Sequence, residues 1–404
     1  MAEIISPFNQ KASLWIEGRK NIFKKLSAAF VKNFSPVIWV HCASLGEFEQ
    51  GRPLMEKLKE IHPSHNILLT FFSSSGYQIQ KNYSGADYIF YLPIDSKQNA
   101  KKFLEITKPS LILFIKYEFW FYYLQEAKQK NIPLLLISAN FRNEQPFFKW
   151  YGSFHKKMLR CFMHLFVQNK ISFNLLKNIG LKNVTISGDT RFDRVTNITN
   201  NFKPIEIIEA FCKNNAVIVA GSTWSEDDEA LDHFANTHPE IKFIIAPHDI
   251  GNERLKECKR LYKFSMLFSV YQKSEIRNPT SVNTLIIDNI GMLARLYKYA
   301  TICYVGGGFG GDGVHNVLEA AVYYKPVIFG PEYEKYFEAV ELIETGGAIS
   351  IEDVLQLEKT LNNLLNNEDV YEKTSLYAGD YVKNKTGATE KIMQFIQEKR
   401  LLTN

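Results

Sequence analysis

Several absences narrow the reading before any motif is weighed. No run approaches the roughly 18 apolar residues that span a bilayer. The most apolar segment, residues 111–124, holds Lys116 and Glu118 and reads as a buried strand entering a turn. No apolar stretch follows Met1, so no cleavable signal is expected. Cysteine is sparse: Cys42, Cys161, Cys212, Cys258 and Cys303 are odd in number, widely spaced and form no C-x-x-C. That pattern suggests neither a disulfide framework nor a zinc site, and it fits buried thiols in a reducing compartment. There is no basic stripe either. The 48 lysines and arginines are scattered among 43 acids, for a net charge of +5, so no nucleic-acid partner is expected. No G-K-[ST] occurs, which argues against a P-loop NTPase.

What is present points to a globular enzyme. The chain has 404 residues, 46% of them hydrophobic and 23% charged, which is long for one core and natural for two domains. Near the N-terminus, Leu14, Trp15, Ile22, Phe23, Leu26 and Phe30 recur at near-helical spacing among Arg19, Lys20, Lys24, Lys25 and Lys32. Two readings fit that pattern: a helix lying on an anionic membrane surface, or an amphipathic helix packed on its own domain.

From residue 36 onward, short apolar runs alternate with helical stretches. Residues 37–41, 66–72, 89–92, 111–115, 134–138 and 165–167 read as strands. After a polar, asparagine-rich break at 196–204, strands recur at 217–220, 243–246, 284–287, 302–305 and 326–329. Buried strands written as continuous apolar runs predict an α/β architecture of parallel sheets covered by helices on both faces. The expected division is a basic membrane-facing segment at 1–35, an α/β domain at 36–195, a linker at 196–204, a second α/β domain at 205–385 and a terminal helix at 386–404.

In such sheets ligands bind beyond the carboxyl ends of the strands. The densest signal there is residues 304–321, YVGGGFGGDGVHNVLEAA, in which six of the eight residues 306–313 are glycine. Glycine lets the backbone approach a ligand closely, and a strand, glycine turn and helix in succession suit a phosphate. Glu319, placed one turn beyond His315, can accept from two ribose hydroxyls. Ser222 and Thr223 follow another strand, where they read either as phosphate ligands or as a helix cap. Pro247 and His248 follow a third. In the first domain Glu47 lies just past a strand end. It is either a general base whose proton affinity a dry cleft would raise, or a glutamate favoured by a helix N-terminus. Glu118, set among aromatics, needs a partner: a functional one or a buried ion pair. Arg142, at the end of 138–142, and Arg191, within 189–193, add polar groups beyond further strands.

In order and spacing, WVHCASLGEFEQ at 39–50, EFW at 118–120, SANFR at 138–142, GDTRFDRV at 188–195, AGSTWSEDDEAL at 220–231, IAPH at 245–248 and VGGGFGGDGVHNVLEAA at 305–321 resemble the Kdo (3-deoxy-D-manno-octulosonic acid) transferases of lipopolysaccharide synthesis. The resemblance implies a GT-B fold: two Rossmann-like parallel-sheet domains facing across a cleft. It implies an inverting transfer of Kdo from CMP-Kdo to the lipid A precursor, with release of CMP and no metal or cofactor, at the cytoplasmic face of the bacterial inner membrane. Carried over by position, Glu47 matches the general base. Lys116, Glu118, Arg142 and Arg191 are expected at the substrate. Ser222, Thr223, Pro247, His248, Gly306, Gly307, Gly308, His315, Asn316 and Glu319 are expected at the donor nucleotide. The sequence departs from the family pattern at Lys116, where an acid is common, at Arg191, where lysine is common, and at His248-Asp249, where the family often has Arg-His. Two other readings remain: a GT-B enzyme using a UDP-sugar, as transferase or epimerase, or a non-catalytic membrane-surface protein on this fold.

Overall fold

A computed structural model describes residues 10–273, 281–311 and 313–402, with the side chains of Gln10 and Lys11 excepted. It divides into two compact units, Met1–Arg194 with Thr386–Asn404, and Val195–Lys385.

The first unit is built on seven parallel strands: β1 (Val37–Cys42), β2 (Asn66–Phe71), β3 (Tyr88–Tyr91), β4 (Pro109–Ile115), β5 (Leu134–Ala139), β6 (His164–Val167) and β7 (Val184–Ile186). Their order is β3-β2-β1-β4-β5-β6-β7. Successive side chains of a strand point to opposite faces. Val37, Trp39, Ile112, Phe114, Leu134 and Leu136 therefore enter one core, and Ile38, Val40, Leu111, Leu113, Ile115, Leu135 and Ile137 enter the other. With helices on both faces every strand position needs an apolar side chain, which is why these strands read as unbroken hydrophobic runs.

The helices Gln10–Arg19 and Ile22–Phe30 lie on this unit, and Ile22, Leu26 and Phe30 are buried in its core. Arg19 donates to the carbonyls of Phe72 and Leu92 and sits over the rings of Trp15, Phe72 and Tyr91. Ile22, Leu26 and Phe30 thus face the core of the unit, while Leu14, Trp15 and Phe23 are half-buried; residues 1–9 lie outside the described residues.

The second unit holds β8 (Val217–Thr223), β9 (Lys242–Pro247), β10 (Ser265–Leu267), β11 (Thr284–Ile286), β12 (Ile302–Val305), β13 (Val327–Phe329) and β14 (Ala348–Ser350), all parallel, in the order β10-β11-β9-β8-β12-β13-β14. The short strands β7, β10 and β14, at the edges of the two sheets, have no counterpart in the sequence reading. The expected linker is also different. The helix Thr190–Asn200 runs into it, with Phe192 and Val195 buried and Asn201 Nδ2 bonded back to the Asn197 carbonyl. The final helix, Ala388–Glu398, is no separate appendage: Ile392, Met393 and Ile396 complete a core of the first unit.

Candidate active site

Each sheet has one switch point where the chain's path reverses, between β1 and β4 in the first unit and between β8 and β12 in the second. The crevice beyond the strand ends at such a point is where open α/β sheets take ligands. Three of the nine non-glycine residues with positive φ among the described residues lie near the carboxyl ends of strands in these sheets. Lys116 just after β4, Ser138 in β5 and Ser222 in β8 all have positive φ, at 65°, 52° and 56°. Non-glycine residues rarely adopt that region, and strain of this kind gathers at functional sites.

In the first unit, Ser44 caps the helix Leu45–Ile61 and Glu47 completes a capping box: the Ala43 and Ser44 amides both donate to Glu47 Oε2. The helix-terminus reading of Glu47 is thus seen directly. The side chain caps a helix, and it is buried beside a second carboxylate. Burial first, and Glu118 second, push its carboxyl up to about 7, against the opposing pull of the two amides and Lys116. A carboxylate poised there is matched to proton abstraction near neutral pH.

Glu118 follows β4 and is itself buried. Its partner is His41 of β1, with Nε2 2.9 Å from Glu118 Oε2, and the Trp120 indole donates to the same oxygen. Tyr117 lies within the electrostatic reach of Arg142, Glu47, Asp189 and Arg191, and Lys116 Nζ stands 5.3 Å over its ring. Glu47, Arg142 and Arg191 thus share the electrostatic surroundings of Tyr117 with the neighbouring Lys116. Arg191 is not simply an outward cation: its Nε and Nη2 donate to Asp189 Oδ2 at 3.0 and 2.8 Å. Asp189 also accepts from Gln50 and Gln168. Burial raises its carboxyl, but Arg191 and these donors hold it below the usual range. Sequence reasoning missed His41, Trp120, Gln50 and Gln168. The signal for His41 was present, since a histidine inside an apolar strand implies a buried partner.

In the second unit the expected nucleotide residues gather at the ends of β8, β9 and β12. The His248 amide donates to the Thr223 carbonyl. The rings of Trp224, His248 and His315 stack, with centroids 4.6 and 4.5 Å apart, and Trp224 Nε1 donates to His315 Nε2 at 3.1 Å. Asn316 Nδ2 donates to Glu319 Oε1 at 3.0 Å. The glycine loop differs from expectation in two respects. His315 is not helical: its amide bonds the Gly306 carbonyl, and the helix opens only at Leu318, covering Leu318–Ala321. Nor do Gly306 and Gly307 offer their amides outward. Gly306 donates to the Gly221 carbonyl, and Gly307 donates to Asp227 Oδ2 at 2.8 Å. Gly307 instead supplies a φ of +91°, and Gly308 permits a close pass, since a Cβ there would lie 2.6 Å from Gly330 N. Asp227, buried and absent from the sequence reading, accepts from Gly307, Trp224 N and the Tyr304 hydroxyl, tying loop to helix.

No group of acidic, histidine and cysteine side chains suited to a metal ion occurs among the described residues. No described helix is long and apolar enough to cross a membrane.

The pair of parallel seven-stranded sheets is the GT-B architecture. A solved UDP-GlcNAc 2-epimerase from Neisseria meningitidis, bound to UDP-GlcNAc, superposes with a TM-score of 0.64 at 18% identity, covering 90% of this chain and all of that one. At that identity the likeness speaks for the fold. The sequence comparisons are more specific. Residues 18–194 match the family model described as 3-deoxy-D-manno-octulosonic-acid transferase (kdotransferase). The 3-deoxy-D-manno-octulosonic acid transferase of Aquifex aeolicus is 29% identical over 94% of this chain and 98% of its own length. That of Rickettsia typhi is 28% identical over 82% of this chain and 72% of its own. The first unit matches the Kdo transferase family model, and the chain is a glycosyltransferase similar to the Kdo transferases over most of its length.

Proposed function

We propose that this enzyme transfers Kdo from CMP-Kdo to a hydroxyl of the lipid A precursor and releases CMP, with inversion at the anomeric carbon. The observation that carries the reading is Glu47: a buried carboxylate with raised proton affinity, inside the domain that matches the Kdo transferase model. In the proposed step Glu47 takes the acceptor hydroxyl proton. The freed oxygen pair forms the bond to the anomeric carbon, and the bond from that carbon to the phosphate oxygen breaks, its electrons leaving with CMP. A single displacement inverts the centre. Lys116, Arg142 and Arg191 offer the positive charge that an anionic sugar and a phosphorylated acceptor require. Ser222, Thr223 and Gly308 face the nucleotide phosphate in this reading, and Glu319 takes the ribose hydroxyls. Pro247, His248, His315 and Asn316 complete the nucleotide site.

A membrane-bound acceptor places the enzyme at the cytoplasmic face of the inner membrane. Peripheral contact there rests on exposed side chains such as Phe34 and Trp150, 95% and 93% accessible, and on exposed Lys24, Lys25 and Lys32. The test is thermal-shift screening with CMP, UDP and GDP, followed by a radiolabelled transfer assay. Stabilisation by CMP alone, and transfer lost in Glu47→Gln, is the expected result. Stabilisation by UDP instead would turn the reading to a UDP-sugar enzyme, and transfer that survives Glu47→Gln removes Glu47 as the base.

A further inference from the structure

A buried chain of hydrogen bonds runs from the core of the first unit to Glu118. Trp39 and His41 share β1, and Thr70 of β2 is the cross-strand partner of His41. Trp39 Nε1 donates to Thr70 Oγ1 at 2.8 Å, Thr70 Oγ1 lies 2.8 Å from His41 Nδ1, and His41 Nε2 lies 2.9 Å from Glu118 Oε2. Trp39, His41 and Thr70 are fully buried. The Trp39 N–H fills a lone pair of Thr70 Oγ1, and His41 Nδ1 meets both the hydroxyl and, at 3.1 Å, the carbonyl of Thr70. The Trp120 N–H lies 3.0 Å from His41 Nε2 and also bonds Glu118 Oε2, so the ring and the indole together fix that oxygen in place.

We propose that His41 is a positioning residue of the transfer reaction, acting through Glu118: its Nε2 bond holds a second carboxylate in place beside Glu47. This rests on the reading of Glu47 as the base. The other groups that act on Glu47 are Lys116 and the amides of Ala43 and Ser44, and Cys42 and Tyr117 feel its charge. Facing the His41 ring are Thr70 from β2, Phe114 from β4, and Glu118 and Trp120 from the turn after β4. Of these only Glu118 carries a charge that His41 can steer.

The test follows the titration of the Glu47 carboxyl by NMR in glutamate-labelled protein, beside the pH profile of kcat/KM. His41→Asn keeps a group at the Thr70 end but cannot reach Glu118, whereas His41→Gln returns an N–H near the Nε2 position. In His41→Asn the Glu118 carboxylate loses the bond that holds it beside Glu47 and is free to turn away. The Glu47 midpoint and the acid limb of the profile are expected to fall by about one pH unit, with His41→Gln restoring both. A Glu47 midpoint unmoved in His41→Asn overturns the proposal. Should that variant not fold, Glu118→Gln decides: it must lower the Glu47 midpoint likewise, and an unmoved midpoint is again fatal. Because the titration is read on the carboxyl itself, a failure of Glu47 as the base, seen as turnover retained in Glu47→Gln, is distinguishable from a failure of His41.

Discussion

At the scale of single residues, Glu47 combines two demands that usually separate. A capping glutamate is normally solvated and charged, while a base in an enzyme benefits from desolvation. Here the cap bonds hold Oε2 in place while burial and Glu118 raise the carboxyl to about 7. A folded-state value above the ordinary 4.5 means that this group supports the fold below pH 4.5 and that the support is lost as pH rises through 7. Glutamine can fill the same capping role without the charge. Glu47→Gln is therefore expected to raise Tm by a few degrees at pH 8 and to leave it unchanged at pH 4.5, as read by calorimetry. Asp227 is set by the same balance. Burial raises its carboxyl, yet three donors converge on it from Gly307, Trp224 and Tyr304. Asp227→Ala leaves those donors unmet in a dry site and is expected to cost on the order of 3 kcal/mol in urea unfolding, most of it recovered in Asp227→Asn.

At the scale of elements, the glycine-rich stretch is a shaped loop more than a row of phosphate-binding amides. Its backbone donors at Gly306 and Gly307 point inward to Gly221 and Asp227. Glycine is needed there for conformation and approach. A Cβ on Gly307, at a φ of +91°, would lie 2.5 Å from the Gly313 carbonyl oxygen. Gly307→Ala is accordingly expected to weaken CMP binding at least about tenfold in titration calorimetry, because the loop must rebuild to relieve the clash. Affinity equal to wild type would detach the loop from nucleotide binding. The helix after the loop shows where periodicity misleads. Residues 314–319 carry no breaker, yet Val314 and His315 bond to Glu332 and Gly306 across the loop, and the helix is delayed to Leu318. Long-range bonds of this kind leave no local mark in a sequence.

At the scale of the whole molecule, the chain leaves the first unit after Arg194 and returns to it at Thr386. The return is anchored chemically. Asp193 accepts from the amides of Gly387 and Thr389, both at 2.6 Å, and caps the final helix from within the first unit. Ile392, Met393 and Ile396 then fill its core. Ile396→Ala is expected to destabilise the first unit by about 2–5 kcal/mol in urea unfolding. The nucleotide-induced shift, a property of the second unit in our reading, should persist. Loss of that shift in Ile396→Ala would contradict this division.

Much of this was legible in the amino acids alone. Alternating apolar runs and helical stretches sufficed for two parallel α/β units, because a strand covered on both faces has no solvent side to write into its pattern. Strand ends sufficed to nominate Glu47, Glu118, Ser222 and Gly306, because the chemistry of such sheets collects there. What only folding in three dimensions decided was partnership. His41 meets Glu118 across 77 positions, and Asp227 meets Gly307 across 80. Ile22 and Leu26 turn to the core of the first unit. An amphipathic stripe states that it must be covered and is silent on what covers it, and a buried polar side chain states that it needs a partner without naming one.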